Sequence, residues 1–221
     1  MRSKDTVKPI FLTLFMLLAA ALKGHEAHAQ TTETLTVAGG CFWCVESDFE
    51  GVDGVRSVIS GYTGGTTESP TYKQVTGGGT GHYEAVQIHF DPTQVTRAHL
   101  LNLFLRSVDP TDPGGQFCDR GDSYRTAIFV SSKGERSLAE AAKAQAQADL
   151  GQPIVTPILN AGRFYPAEAY HQDYYKGTKR GFTRFGPKRQ SEAYKRYRAA
   201  CGRDARVAQL WGDAAPFAKG H

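Results

Sequence analysis

Cys41 and Cys44 stand three residues apart behind the pair Gly39-Gly40, the arrangement in this sequence best suited to covalent chemistry. Thr34 to Ala38 reads as a short buried strand, the glycines break it, and Cys41 to Phe49 has a helix-compatible composition. A thiol at a helix start meets the positive end of the helix dipole and unpaired N–H groups, which predicts a lowered pKa and a reactive thiolate. By position Cys41 is the better nucleophile. Glycine at 39 and 40 lets the backbone approach a ligand closely, and Phe42 and Trp43 are unusual neighbours for a merely structural cysteine.

A second reactive group lies in the alternating stretch from His82 to Phe90. In a strand of period two, Glu84 shares a face with Val86, Ile88 and Phe90. A carboxyl on an apolar face is desolvated, its pKa rises, and it can stay protonated near neutral pH as a general acid.

The elements that must position these groups follow from pattern. Gly61 to Gly81, GYTGGTTESPTYKQVTGGGTG, reads as loop with one helical turn around Tyr72, and a loop of that length is a natural wall for an active site. Arg97 to Val108 is an amphipathic helix, Tyr124 to Val130 a strand, Ser137 to Leu150 an alanine-rich helix, and Ile154 to Leu159 a strand whose Pro157 marks an edge or bulge. Tail helices are expected to start near Ala167 and Ser191. The order argues an α/β fold with one layer of sheet and one of helices.

The strings GGCFWCVESDFEGVDGV, GYTGG, PTYKQV, TGHYEAVQIHFDP, DRGDSYRTAIF and FYPAEAYHQDYY occur collinearly over nearly all of residues 36 to 212. Together they resemble the methionine sulfoxide reductase A family. The resemblance implies an α+β two-layer sandwich with a ferredoxin-like core, a mixed sheet with helices on one side, and a long C-terminal segment. It places the family's nucleophile on Cys41, its catalytic glutamate on Glu84, the two oxygen-binding tyrosines on Tyr72 and Tyr124, the associated aspartate on Asp119, and the pocket for the substrate methyl on Phe42 and Trp43. The implied reaction is thiol-dependent reduction of methionine S-sulfoxide, free or in proteins, through a cysteine sulfenic acid and an intramolecular disulfide. A thioredoxin-like partner would reduce that disulfide, and no cofactor or metal is called for.

The chain departs from the common family pattern at three places: Cys44 stands where many relatives have glycine, Phe117-Cys118 precedes Asp119, and GHYE replaces GHAE. The resolving thiol therefore stays open between Cys201, Cys44 and Cys118. Cys44 is nearest in sequence. Cys201 is favoured, because bridging Cys41 to Cys44 would pull on the backbone that presents Phe42 and Trp43. Its surroundings, CGRDARVAQLWG, read as ordered helix. The rival function is a periplasmic thiol:disulfide oxidoreductase using Cys41 and Cys44, a reading that leaves Glu84, Tyr72 and Tyr124 without a role.

The N-terminus carries Arg2, Lys4 and Lys8 followed by the apolar run PIFLTLFMLLAAAL, too short to span a bilayer, and Ala27-His28-Ala29 offers a cleavage site. Residues 1–29 read as a signal peptide and 30–221 as a single catalytic domain, a monomer exported to the bacterial periplasm with no stable membrane association after cleavage. Four cysteines in an exported chain suggest structural disulfides, but a Cys41–Cys44 bridge closes so short a loop that little stability is gained. A zinc site would need a second close pair, and Cys118 and Cys201 stand singly. Both methionines, Met1 and Met16, lie in the signal, leaving the mature chain without a thioether to oxidise. The whole chain has a formal net charge of +4, too small to indicate a nucleic-acid partner, but residues 176–206 hold 11 Lys or Arg against Glu192 and Asp204 alone.

Overall fold

A computed structural model of the chain describes residues 31–218; the expected signal peptide and its cleavage after Ala29 lie outside the described residues. The chain runs β1 (Glu33–Gly39), α1 (Phe42–Glu50), β2 (Val55–Thr63), α2 (Tyr72–Gly77), β3 (Tyr83–Phe90) and α3 (Arg97–Ser107). A short hairpin of β4 (Gly115–Gln116) and β5 (Asp119–Arg120) leads to β6 (Thr126–Val130), α4 (Lys133–Leu150), β7 (Ile158–Asn160) and β8 (Tyr165–Pro166). A second hairpin, β9 (Arg180–Thr183) and β10 (Gly186–Arg189), precedes α5 (Gln190–Cys201) and α6 (Arg203–Trp211).

The six-stranded sheet has the order β7-β6-β1-β3-β2-β8, antiparallel except for the β6–β7 pair. Its centre, β6-β1-β3-β2 with crossovers through α1 and α3, is the ferredoxin-like arrangement. Period-two alternation divides each strand between faces. Leu35, Val37, Val86, Ile88, Phe90 and Ile128 meet Val45 and Phe49 of α1 and Leu100, Leu101, Phe104 and Leu105 of α3 in the main core. Each such buried side chain contributes about 1.5–3 kcal/mol. On the other face Ala38, Ala85 and Ala127 leave room for Tyr83 and Phe129, whose rings meet edge-on at 5.6 Å.

Three sequence expectations fail. Val55–Thr63 is a strand, so Gly61 to Thr63 are not loop; a side chain at Gly61 would run into the Tyr165 carbonyl at 2.4 Å, and glycine here permits the close approach of β8. The strand expected from Ile154 is only Ile158–Asn160, because Val155 gives its N–H to the Pro110 carbonyl instead of a ladder. No helix starts at Ala167. That segment is pinned in turns by Ala167 N–H to the Ser60 carbonyl, by the Gln172 side chain on the Ser60 backbone, and by the Asp173 N–H on Glu46. Tyr124 falls in a single helical turn, Asp122–Tyr124, just before β6.

Candidate active site

The nucleophile position is built by the glycine pair. A Cβ on Gly39 would press on Val45, Phe104 and Val108, and Gly40 has φ +79° with a hypothetical Cβ only 2.5 Å from Gln116 Cβ. Only glycine lets the chain turn here while β6 and the β4 hairpin stay close. Cys41 is thereby placed as the N-cap of α1, partly exposed, with its own carbonyl accepting the Cys44 N–H at 3.0 Å.

Cys41 and Cys44 are free thiols, Cys44 only 8% exposed beneath its neighbour. The helix start does not lower the Cys41 pKa as its position in sequence predicts. Its thiol is raised well above the usual range, first by the hydrogen bond it shares with Cys44, then by burial and by the carboxylates Glu84 and Asp119. Cys44 is lowered by the same hydrogen bond, against burial, with Arg203 and Arg198 assisting.

Glu84 lies on the helix-side face of β3, opposite Tyr62 and 1% exposed. One carboxyl oxygen accepts the Phe42 N–H at 3.1 Å, tying the acid to the first turn of α1. The other, Oε1, has no hydrogen-bond partner among the described residues. Burial pushes Glu84 up to about 8 although the Phe42 N–H and the nearby Tyr124 hydroxyl pull the other way.

Tyr72 opens α2 behind the Thr71 N-cap, and its N–H is held at 2.9 Å by Glu168, which also accepts the Tyr62 hydroxyl at 2.8 Å. The Tyr72 and Tyr124 hydroxyls are both raised by burial and then by Glu84, so they remain protonated donors. Asp119 comes from β5, its carboxyl raised by burial against the pull of Arg203 and Arg184.

One cavity of about 240 Å³ is lined by Cys41, Glu84, Tyr72, Tyr124, Asp119 and Trp43, and also by Cys44, Cys118 and Cys201. Trp43 forms a wall, stacked on Tyr174 with ring centres 3.7 Å apart. Phe42 does not line the cavity: it is 1% exposed and packs beneath it, 6.1 Å from Tyr72 and 5.1 Å from His171. Sequence reading missed His171, a buried ring between Phe42, Trp43 and Tyr72 that burial holds neutral, with a pKa of about 4.

The distant cysteines are joined: Cys118 and Cys201 form a disulfide across 83 residues of sequence. Cys118 is exposed, and both sulfurs lie near Asp119, at 3.8 and 3.7 Å. These three residues could bring ligand atoms together for a metal, but the two sulfurs are bonded to each other. Cys201 is the last residue of α5, and an ion network fixes the segment around it. Arg198, 4% exposed, binds Asp48 of α1 at 2.7 Å and Asp204 at 2.7 Å, while Arg203 donates to the Gly39 carbonyl at 3.1 Å and lies over the Phe117 ring. Removing one partner of so buried a pair would leave an uncompensated charge costing about 3–5 kcal/mol. Sequence reading saw these arginines only as part of a basic run.

Residues 33–206 match the family model described as peptide methionine sulfoxide reductase. Peptide methionine sulfoxide reductase MsrA 2 of Rhizobium meliloti is 46% identical, the alignment covering 92% of each chain. MsrA of Bacillus licheniformis is 48% identical over 83% of this chain and 96% of its own. Among solved structures, reduced Mxr1 of Saccharomyces cerevisiae superposes with a TM-score of 0.64 at 31% identity, covering 70% of this chain and 90% of that one. Methionine sulfoxide reductase A of Corynebacterium diphtheriae gives 0.60 at 33% identity, covering 71% and 79%. With this cavity on this fold and a match over most of its length, the chain belongs to the peptide methionine sulfoxide reductase family, in its A branch.

Proposed function

We propose that the enzyme reduces methionine sulfoxide to methionine at Cys41, with Glu84 supplying the proton. One observation carries this: a partly exposed thiol, a buried carboxyl with an unpartnered oxygen and two protonated tyrosine hydroxyls line the same small cavity. The Cys41 sulfur attacks the sulfoxide sulfur, and the departing oxygen is protonated by Glu84 and held by Tyr72 and Tyr124. The oxygen passes to Cys41, which ends as a sulfenic acid, while the substrate sulfur gains two electrons and leaves as the thioether. Trp43 is the wall for the substrate methyl, with Phe42 backing it from below. The S epimer is the substrate that the family resemblance implies. A thiol:disulfide oxidoreductase would leave this acid and these donors idle.

Recycling follows from the Cys118–Cys201 pair. Cys201 condenses with the sulfenic acid, releasing water and forming a Cys41–Cys201 disulfide; Cys118 thiolate then attacks Cys201 and sets Cys41 free. The resulting Cys118–Cys201 disulfide has its exposed sulfur at Cys118, open to an external dithiol of the thioredoxin kind. Cys44 is the second reading, favoured by its hydrogen bond to Cys41. Mass spectrometry after one turnover of the fully reduced enzyme without reductant separates them. We expect Cys118–Cys201 with Cys41 and Cys44 free in the parent, and a dimedone-reactive sulfenic acid on Cys41 in Cys201→Ser, which still releases about one equivalent of methionine. A Cys41–Cys44 disulfide as the end product would overturn the Cys201 route.

We also propose export, with a mature N-terminus at Gln30. Protein recovered from the periplasm that begins at Met1 on N-terminal sequencing would refute this.

A further inference from the structure

The β9–β10 hairpin has a surface that catalysis leaves unused. Phe182 is 93% exposed and lies opposite exposed Pro187, with Arg180 opposite Arg189 at the open end. The hairpin strands pair only with each other among the described residues, and both pack against α5.

The surroundings are basic. Lys176, Arg198, Arg203 and Arg206 of the basic run are engaged by Glu50, Asp48, Asp204 and Asp109. By contrast, Lys179, Arg180, Arg184, Lys188, Lys195 and Arg196 form no ion pair among the described residues. Lys188, Lys195 and Arg196 line a shallow groove whose one acid is Glu192. The groove lies on the outer face of α5 and the catalytic cavity on its inner face, and the hairpin turn joins the two: Arg196 lies over the Phe185 ring at 6.0 Å, and Phe185 packs on Tyr197 at 5.3 Å. Arg184 at the hairpin turn lies over the Tyr197 ring at 4.8 Å, and both residues line that cavity.

We infer that this hairpin and groove dock an extended, acidic segment of the polypeptide whose oxidised methionine enters the cavity. The inference rests on the catalytic reading of Cys41. Phe182 supplies an apolar anchor, the lysines and arginines select negative charge, and Arg184 and Tyr197 lead from the patch to the reacting sulfur. Exposed charges are screened within about 8–10 Å at physiological salt, so the selection is sensitive to ionic strength.

The test uses the full mature enzyme with dithiothreitol, a reductant too small to need docking. Substrates are free methionine sulfoxide and two peptides that carry it between Asp and Glu or between Lys residues. At low salt the acidic peptide should have a kcat/KM about tenfold above the basic one, the gap shrinking as salt is added. Lys188→Glu with Lys195→Glu should abolish the preference, and Phe182→Ser should raise KM for the acidic peptide about threefold. Neither should change the rate on free methionine sulfoxide. A parent enzyme indifferent to peptide charge, or a double variant that keeps the preference, would overturn the inference. So would variants that impair only thioredoxin-driven turnover of the free substrate, which would give the surface to the reductant. Anisotropy of the labelled peptides on Cys41→Ser reads docking without turnover. If free methionine sulfoxide were not reduced, the catalytic reading would fall while peptide binding still decided the surface.

Discussion

Cys41→Ser is expected to form no methionine beyond about one hundredth of the parent rate, with either dithiothreitol or a protein dithiol, while its thermal midpoint stays level or rises. The two halves have different causes. A serine hydroxyl is a poor nucleophile towards sulfur and cannot end as a sulfenic acid, so both the attack and the oxygen transfer are lost. The fold survives because residue 41 is the N-cap of α1 and makes no side-chain cap hydrogen bond there. Serine is among the preferred residues at that position and adds an acceptor for an N–H of the first turn. Methionine release followed by chromatography, beside a thermal melt, separates chemical from structural loss. Turnover above a few per cent of parent would move the nucleophile to Cys44.

Glu84 and Cys41 were legible in the sequence because each depends on local periodicity. Strand alternation alone puts Glu84 with Val86 and Ile88, and a glycine break alone puts Cys41 at a helix start. Both hold in the fold. The charge state of Cys41 was not legible. It is set by Cys44 beneath it and by Glu84 and Asp119, brought in from β3 and β5, and their combined effect outweighs the helix dipole. Strand β2 was hidden because Gly61 and Gly64 read as turn residues, while the reason for Gly61 is a neighbour 104 residues later, Tyr165. The Asp48–Arg198 pair, 150 residues apart, leaves no periodic trace at all, yet it joins α1 to the helix carrying Cys201. Phe42 illustrates a subtler failure. Its neighbour Trp43 faces the cavity, but consecutive helical residues point about 100° apart, so the two do not share one wall.

Glu84→Gln is expected to lower the rate at neutral pH by about 100-fold or more, the usual contribution of a positioned general acid. The amide keeps the size of the side chain and an acceptor for the Phe42 N–H, so loss of position does not explain the deficit. The pH dependence gives a second readout. Two ionisations bear on the rate: Glu84 loses its proton near pH 8, the value to which burial raises it, and Cys41 ionises higher, held up by its hydrogen bond with Cys44, by burial and then by the Glu84 carboxylate. The reactive form carries one proton, on Glu84, with the thiolate on Cys41. The parent kcat/KM should therefore climb through about pH 8 and fall again at higher pH. In the glutamine variant the ionisation of the acid is gone and only those of the hydrogen-bonded thiols Cys41 and Cys44 remain, so its small rate should climb without the fall that loss of the Glu84 proton causes. Alkylation of Cys41 by iodoacetamide should then set in at lower pH in Glu84→Gln than in the parent, since a neighbouring negative charge has been removed. For stability the sign is that of a raised acid. The folded state binds the Glu84 proton more tightly than the unfolded chain does, so stability is lost as pH rises from the ordinary carboxylate range to about 8, and the amide variant should lack that loss. A variant with near-parental rate at neutral pH and an unchanged alkylation profile would leave Glu84 a binding residue and pass the proton to Tyr72 or Tyr124.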